Sequence, residues 1–167
     1  MGEPYFGHSG ANRFDDCRRV VKTRFGTCYF GLTLPVAFAE TVLHDELPVA
    51  GKFLVTADAL ETRYVVEFAG AVLTLADMTG AALKRSGADS SISTITPYTL
   101  PQRWSVAIQK HPDKVDGILY MSRHLNSEKA VVLFDRAKHK LRAVQYVPLV
   151  DYPGALRAAL NLGITLT

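Results

Sequence analysis

Residues 26–44 read GTCYFGLTLPVAFAETVLH, and this stretch decides the fold class. Gly26-Thr27-Cys28-Tyr29-Phe30-Gly31 is a short aromatic strand bracketed by glycines. Thr33-Leu34-Pro35 then opens a helix. A threonine hydroxyl accepts from the orphan amides of a first turn, and proline lacks a proton that the first turn leaves unpaired anyway. The predicted helix runs through Val36 and Leu43 to about His44. It is apolar nearly all round, so burial on several sides is expected. Glu40 is its lone ionisable residue before His44. A carboxylate there must reach a polar cavity or a cationic partner, because unpaired charge in low dielectric is strongly disfavoured. Two readings stay open at this point: an arginine that staples Glu40 into the fold, or a functional cleft.

Working outward, Met1 to Asp16 holds turn-forming glycine and proline without a period and reads as loop and extended chain. Lys52–Thr56, Thr62–Phe68 and Val72–Leu75 read as strands, followed by a helix or turn at Ala81–Arg85. The run SGADSSISTITPYT, Ser86 to Thr99, reads as a polar surface loop. Pro101 opens a second helix with Leu100, Trp104, Ala107 and Ile108 at helical spacing, ended by His111-Pro112. Gly117–Met121 and Ala130–Phe134 are strands around a polar turn; Leu141–Val147 is a strand, Pro153–Leu160 a helix and Ile164–Leu166 a last strand. Six or seven short strands with a few helices, and no regular strand–helix alternation, predict a single α+β domain over residues 1–167.

Composition narrows the function classes. The chain has 167 residues, of which 48% are hydrophobic and 21% charged, as in an ordinary globular protein. No segment approaches the roughly 20 apolar residues of a membrane span, and MGEPYFGHSG lacks the basic patch and apolar run expected of a signal peptide. Two cysteines, Cys17 and Cys28, make neither a disulfide scaffold nor a zinc spacing, so a reducing cytoplasm is expected. The net charge of +3 is uneven: residues 1–98 carry 9 Lys+Arg against 11 Asp+Glu, and residues 99–167 carry 10 against 5. That bias suits an anionic ligand or an acidic partner as well as a solvated basic face. Dinucleotide-type G-x-G-x-x-G, a Walker lysine and a G-x-S-x-G elbow are all missing. The five histidines are scattered without metal-ligand pairs at helical spacing, so no metal is expected.

Four residue types from distant stretches then carry weight together. Arg13, in Asn12-Arg13-Phe14-Asp15-Asp16, offers a planar fork of donors suited to phosphate. Tyr29 offers a ring face and a hydroxyl, though alone it reads as a core tyrosine. Ser122 leaves the strand in DGILYMSR, residues 116–123, where by itself it caps the following turn. With Glu40 between them, the order and spacing of these pieces from about Tyr5 to Phe134 resemble the RES domain family, named for its arginine, glutamate and serine. The resemblance implies a fold similar to ADP-ribosyltransferases and a toxin of a bacterial toxin–antitoxin pair that cleaves NAD at the nicotinamide–ribose bond. It places Arg13 on the pyrophosphate, Tyr29 on the nicotinamide ribose or ring, Glu40 on the developing ribosyl cation and Ser122 in substrate orientation, with Asn126 as a further contact. The segment between Arg13 and Tyr29 is longer than in many members, which leaves Arg18, Arg19 and Arg24 as alternatives for the family arginine. NAD enters as substrate, with water or phosphate as acceptor. The partner implied is a helical, Xre-like DNA-binding antitoxin that covers the cleft in a hetero-oligomer, with no membrane and no direct nucleic-acid contact. The alternatives are a mono-ADP-ribosyltransferase acting on a cellular protein and, from another class, a non-catalytic nucleic-acid-binding module, which lacks interleaved aromatic and basic residues. Because the carboxylate acts ionised, activity that falls at acid pH is expected.

Overall fold

The computed structural model describes residues 2–44 and 46–167. Among them are strands β1 (Thr27–Gly31), β2 (Phe53–Val55), β3 (Tyr64–Gly70), β4 (Leu75–Met78), β5 (Gly117–Met121), β6 (Lys129–Phe134), β7 (Leu141–Pro148) and β8 (Ile164–Leu166). The helices are α1 (Leu34–Thr41), α2 (Ala57–Glu61), α3 (Gly80–Arg85), α4 (Thr99–Gln109) and α5 (Ala155–Asn161). A four-stranded sheet runs in the order β1-β6-β5-β4, with β4 and β5 parallel and the other pairs antiparallel. β2 and β8 form a parallel pair, and β3 and β7 an antiparallel pair with an irregularity at Glu67/Phe68. The chain is thus the α+β domain that the sequence predicts.

β6 explains the architecture. Its AVVLF run is buried along its whole length because β1 covers one edge and β5 the other, while both faces are packed. The strand period of two then divides the core. Ala130, Val132 and Phe134 join Phe14, Val36, Ile118 and Tyr120 on one face, whereas Val131 and Leu133 meet Ala137, Phe30 and Leu119 on the other. A third cluster lies around Phe38, Val42, Leu60, Leu149, Ala159 and Ile164. Helix α1 stands between two of these clusters, Val36 facing the first and Phe38 the third. That position is why a helix apolar on several sides is stable here. Each fully buried large apolar side chain contributes about 1.5–3 kcal/mol.

Several boundaries differ from expectation for local reasons. α1 ends at Thr41 rather than near His44, with Val42 as its C-cap. Thr56 is not the end of a strand but the cap of the unexpected α2, accepting from the Ala59 amide. The third predicted strand lies at Leu75–Met78, where β5 offers a parallel edge. α4 begins at Thr99, so Pro101 sits inside the first turn, where its missing amide proton is harmless. The stretch 86–99 is not a plain surface loop. Its 3₁₀ turn Ser90–Ser93 drives Ile92 into the core with 1% exposure.

Two contacts set where the site forms. Buried Asp116 accepts from the Thr74 amide at 2.7 Å and from Lys140 Nζ at 2.8 Å, tying the start of β5 to the residues that lead into β4 and β7. At Gly31 the start of α1 folds so closely onto β1 that an added Cβ would lie 2.4 Å from the Ala37 nitrogen. Replacing Gly31 with valine forces these elements apart, so Gly31→Val is expected to lower stability by about 1–3 kcal/mol in urea denaturation. An unchanged midpoint would remove that close approach as a constraint on the fold.

Candidate active-site cleft

The NRFDD segment is held as a rigid turn by buried carboxylates. Asp15 accepts from Ser9 Oγ, the Asn12 amide and Asn12 Nδ2 on one oxygen, and from Thr27 Oγ1 and the Tyr29 hydroxyl on the other, at 2.6–3.3 Å. The Tyr29 hydroxyl in turn accepts from the Phe14 amide at 2.9 Å. From the far side, Gln102 Nε2 donates to the carbonyls of Gly10 and Asn12, and Ser105 Oγ to that of Phe14. With Phe14 locked in the core at 0% exposure, its neighbour Arg13 must point the other way, into a cavity.

Arg13 is 8% exposed. One guanidinium nitrogen, Nη1, donates to the Ile95 carbonyl at 2.8 Å, and the group lies 4.5 Å from the centre of the Tyr98 ring. Nη2 is buried without a hydrogen-bond partner. Burial lowers the Arg13 pKa, partly opposed by Tyr98, yet an arginine stays protonated in proteins. A buried, charged donor with an open valence is costly unless a ligand completes it. The other arginines considered from sequence do other work. Arg18 pairs with Asp16, Arg24 donates to the carbonyls of His8, Ser9 and Arg18, and Arg19 is exposed.

The cavity holds about 500 Å³ and is lined by Arg13, Tyr29, Glu40, His44, Tyr98, Tyr120 and Arg123, among others. Glu40 meets a hydroxyl and an imidazole, not the stapling arginine that was one reading of its helix. Ser122 Oγ donates to Glu40 Oε1 at 2.5 Å while accepting from the amides of His124 and Leu125. Those two amides occupy its lone pairs, so its proton has one direction left, toward Glu40. Ser122 is 1% exposed and stands behind the carboxylate rather than on the cavity wall. Tyr29 presents a ring, since its hydroxyl is spent on Asp15 and Phe14. Burial raises the Tyr29 phenol well above its ordinary pKa, reinforced by Asp15; burial and then Glu40 raise that of Tyr120. Both remain protonated donors at neutral pH. Asn126 lies exposed in the turn after β5 and lines no part of the cavity. Cys28 is pushed up to about 11 by burial, which leaves it an inert thiol.

The structure therefore brings Arg13, Tyr29, Glu40 and Ser122 to one place and leaves Asn126 outside. It also adds Tyr98, Tyr120, Arg123, His44 and His124, which the sequence reading missed. Tyr120 and Arg123 flank Ser122 and were within reach of inspection: in a strand, Tyr120 shares a face with Ser122. His44 and His124 are not scattered after all. They converge on Glu40, with donor atoms within 4.8 Å of one another. No helix among the described residues is long and apolar enough to cross a membrane. Chemically, the cleft combines one fixed carboxylate, guanidinium groups and aromatic faces in a volume suited to a small anionic molecule.

The sequence profile of the RES domain matches residues 2–154. A protein named "Probable toxin y4kH" from Sinorhizobium fredii (strain NBRC 101917 / NGR234) is 38% identical over 80 residues, a stretch covering 48% of this chain and 62% of that protein. No solved structure matches the chain.

Ser122→Ala leaves the Glu40 carboxylate without its donor, and a loss of about 1.5–3 kcal/mol is expected in urea denaturation, the range for hydrogen bonds to charged groups; a neutral effect would mean that the carboxylate finds another donor. Acid stability reports on Asp16. Burial raises its carboxyl, but the hydrogen bonds from Arg18 and the Phe25 amide outweigh this and hold it below its ordinary value. A depressed folded pKa stabilises above the unfolded value, about 3.9, and is lost as pH falls through the folded one. Stability should drop below about pH 4, and less steeply in Asp16→Asn than in the parent. Parallel acid profiles would show that Asp16 contributes nothing to it.

Proposed function

The chain belongs to the RES domain family, and from that membership we propose that it is a toxin of a bacterial toxin–antitoxin pair that breaks the nicotinamide–ribose bond of NAD. The observation that carries this reading is the buried Arg13 Nη2, unpartnered, in a cavity whose carboxylate is Glu40. An anion at one end and a developing cation at the other is the charge pattern of NAD undergoing this cleavage. The pyrophosphate completes the Arg13 valence through charge-assisted hydrogen bonds. Tyr29, Tyr98 and Tyr120 supply ring faces along the cavity for the nicotinamide ribose and the base.

In the reaction the C1′–N bond breaks and its electron pair moves onto the pyridinium nitrogen, so nicotinamide leaves neutral. Positive charge is left on the ribose, as in glycoside cleavage. Glu40, held in place by the Ser122 hydroxyl, needs no reorganisation to meet that charge. An oxygen acceptor then closes on the anomeric carbon: water gives ADP-ribose, and phosphate gives its phosphate ester. A protein acceptor would make the same cleft an ADP-ribosyltransferase. The antitoxin, a helical DNA-binding partner by family analogy, would act by covering the mouth of this cavity.

Purified protein incubated with NAD, with and without phosphate, and followed by mass spectrometry tests the reading. Release of free nicotinamide with matching loss of NAD is expected. Glu40→Gln should lower kcat by about 10²–10³-fold, the range for a single preorganised electrostatic group. Arg13→Ala should act mainly by raising KM, since it removes binding common to ground and transition states. Full turnover by a folded Glu40→Gln variant would overturn the assignment, and ADP-ribose found on a protein would redirect it to transfer.

A further inference from the structure

We infer that Glu40, His44 and His124 form a binding site for one zinc-class divalent cation at the edge of the cleft, and that its occupation silences Glu40. The second half rests on the function proposed above; the first does not.

The three residues come from two places in the chain. His44 follows Glu40 by four residues, just past the end of α1. His124 lies two residues beyond Ser122, and its amide donates to the same Ser122 oxygen whose proton goes to Glu40. One hydroxyl therefore ties the carboxylate to the backbone of the second histidine. Glu40 Oε2, the oxygen that Ser122 does not take, lies 4.0 Å from His124 Nε2, and the centres of the two imidazole rings are 5.4 Å apart with their planes tilted by 51°. The donor atoms all lie within 4.8 Å of one another. Tetrahedral zinc, with bonds of about 2.0–2.2 Å, requires donors about 3.3 Å apart. Metal binding therefore draws these donors closer together than they stand here. Two imidazoles and one carboxylate are a donor set of zinc sites that keep a fourth position open, and two of these residues, Glu40 and His44, line the cavity. Imidazole nitrogen favours zinc, copper or nickel over magnesium and calcium, which take oxygen.

Arg123 is the competitor. Its Nε donates to His124 Nε2 at 3.0 Å, on the lone pair that a metal needs. The guanidinium also repels a second cation. The site is therefore weakened by Arg123, and metal and arginine alternate on one nitrogen. When the metal is present, Glu40 Oε2 is coordinated and positive charge stands where the ribosyl cation would develop.

The test uses the full chain in a Cys17→Ser background, which removes the exposed thiol. Zinc is titrated in competition with a chromogenic chelator, and cobalt is added separately for its visible spectrum. One zinc per chain at micromolar concentration is expected, with His44→Ala and His124→Ala each weakening it by about tenfold or more. Arg123→Leu should tighten it, a gain that misfolding cannot mimic. Zinc should also slow NAD loss by the parent by a larger factor, relative to its own zinc-free rate, than it slows His44→Ala. Equal zinc affinity in the parent and both histidine variants, or unchanged affinity in Arg123→Leu, would overturn the site. Zinc bound through both histidines by a chain that leaves NAD intact would uphold the site and overturn the function proposed above.

Discussion

The carboxylate of Asp15 is the point from which the cleft is built. It is 2% exposed and takes donors from the loop before it and from strand β1 beyond it. A buried charge survives only when hydrogen bonds replace the water it has lost. That requirement pins Ser9, Asn12, Thr27 and Tyr29 around one group, and the turn they make has a single outcome. Phe14 enters the core and Arg13 faces the cavity. Helix α4 closes the arrangement from behind through Gln102 and Ser105. The position of the guanidinium is thus set by a carboxylate it never touches.

Glu40 obeys the same physics with a different result. Helix α1 is wedged between two apolar clusters, and the close approach at Gly31 fixes how far it can slide. Its carboxylate is left at the one side that is not apolar packing. There it is met by a hydroxyl whose lone pairs are already taken by the turn after β5. A carboxylate held by a hydroxyl keeps more of its field than one in direct contact with an arginine, and Arg13 and Arg123 line the same cavity as Glu40.

Much of this was legible before the fold. Glycines around an aromatic run, a threonine–proline helix start, the apolar AVVLF run and a lone acid on an apolar helix all announced themselves, because caps, turns and periodicity act over a few residues. The family pattern then drew Arg13, Tyr29, Glu40 and Ser122 together. Less was legible where packing overruled local chemistry. The Ser-rich stretch 86–99 reads as solvated loop, yet Ile92 is core and Tyr98 stacks under Arg13. Asn126 sits near Ser122 in sequence and still points away from the cavity, because a turn reverses direction within a few residues.

By itself the sequence determined the α+β class, most element positions, and which side chains had the chemistry to matter. The tertiary structure alone decided which of several arginines faces the cavity, that the Tyr29 hydroxyl is spent on holding a turn, and that His44 and His124 meet at Glu40. The reason is one of range. Hydrophobic period and capping are written in neighbouring residues, whereas the direction of a buried polar side chain depends on partners some eighty residues away, as between Ser122 and Glu40, and no local pattern encodes that distance.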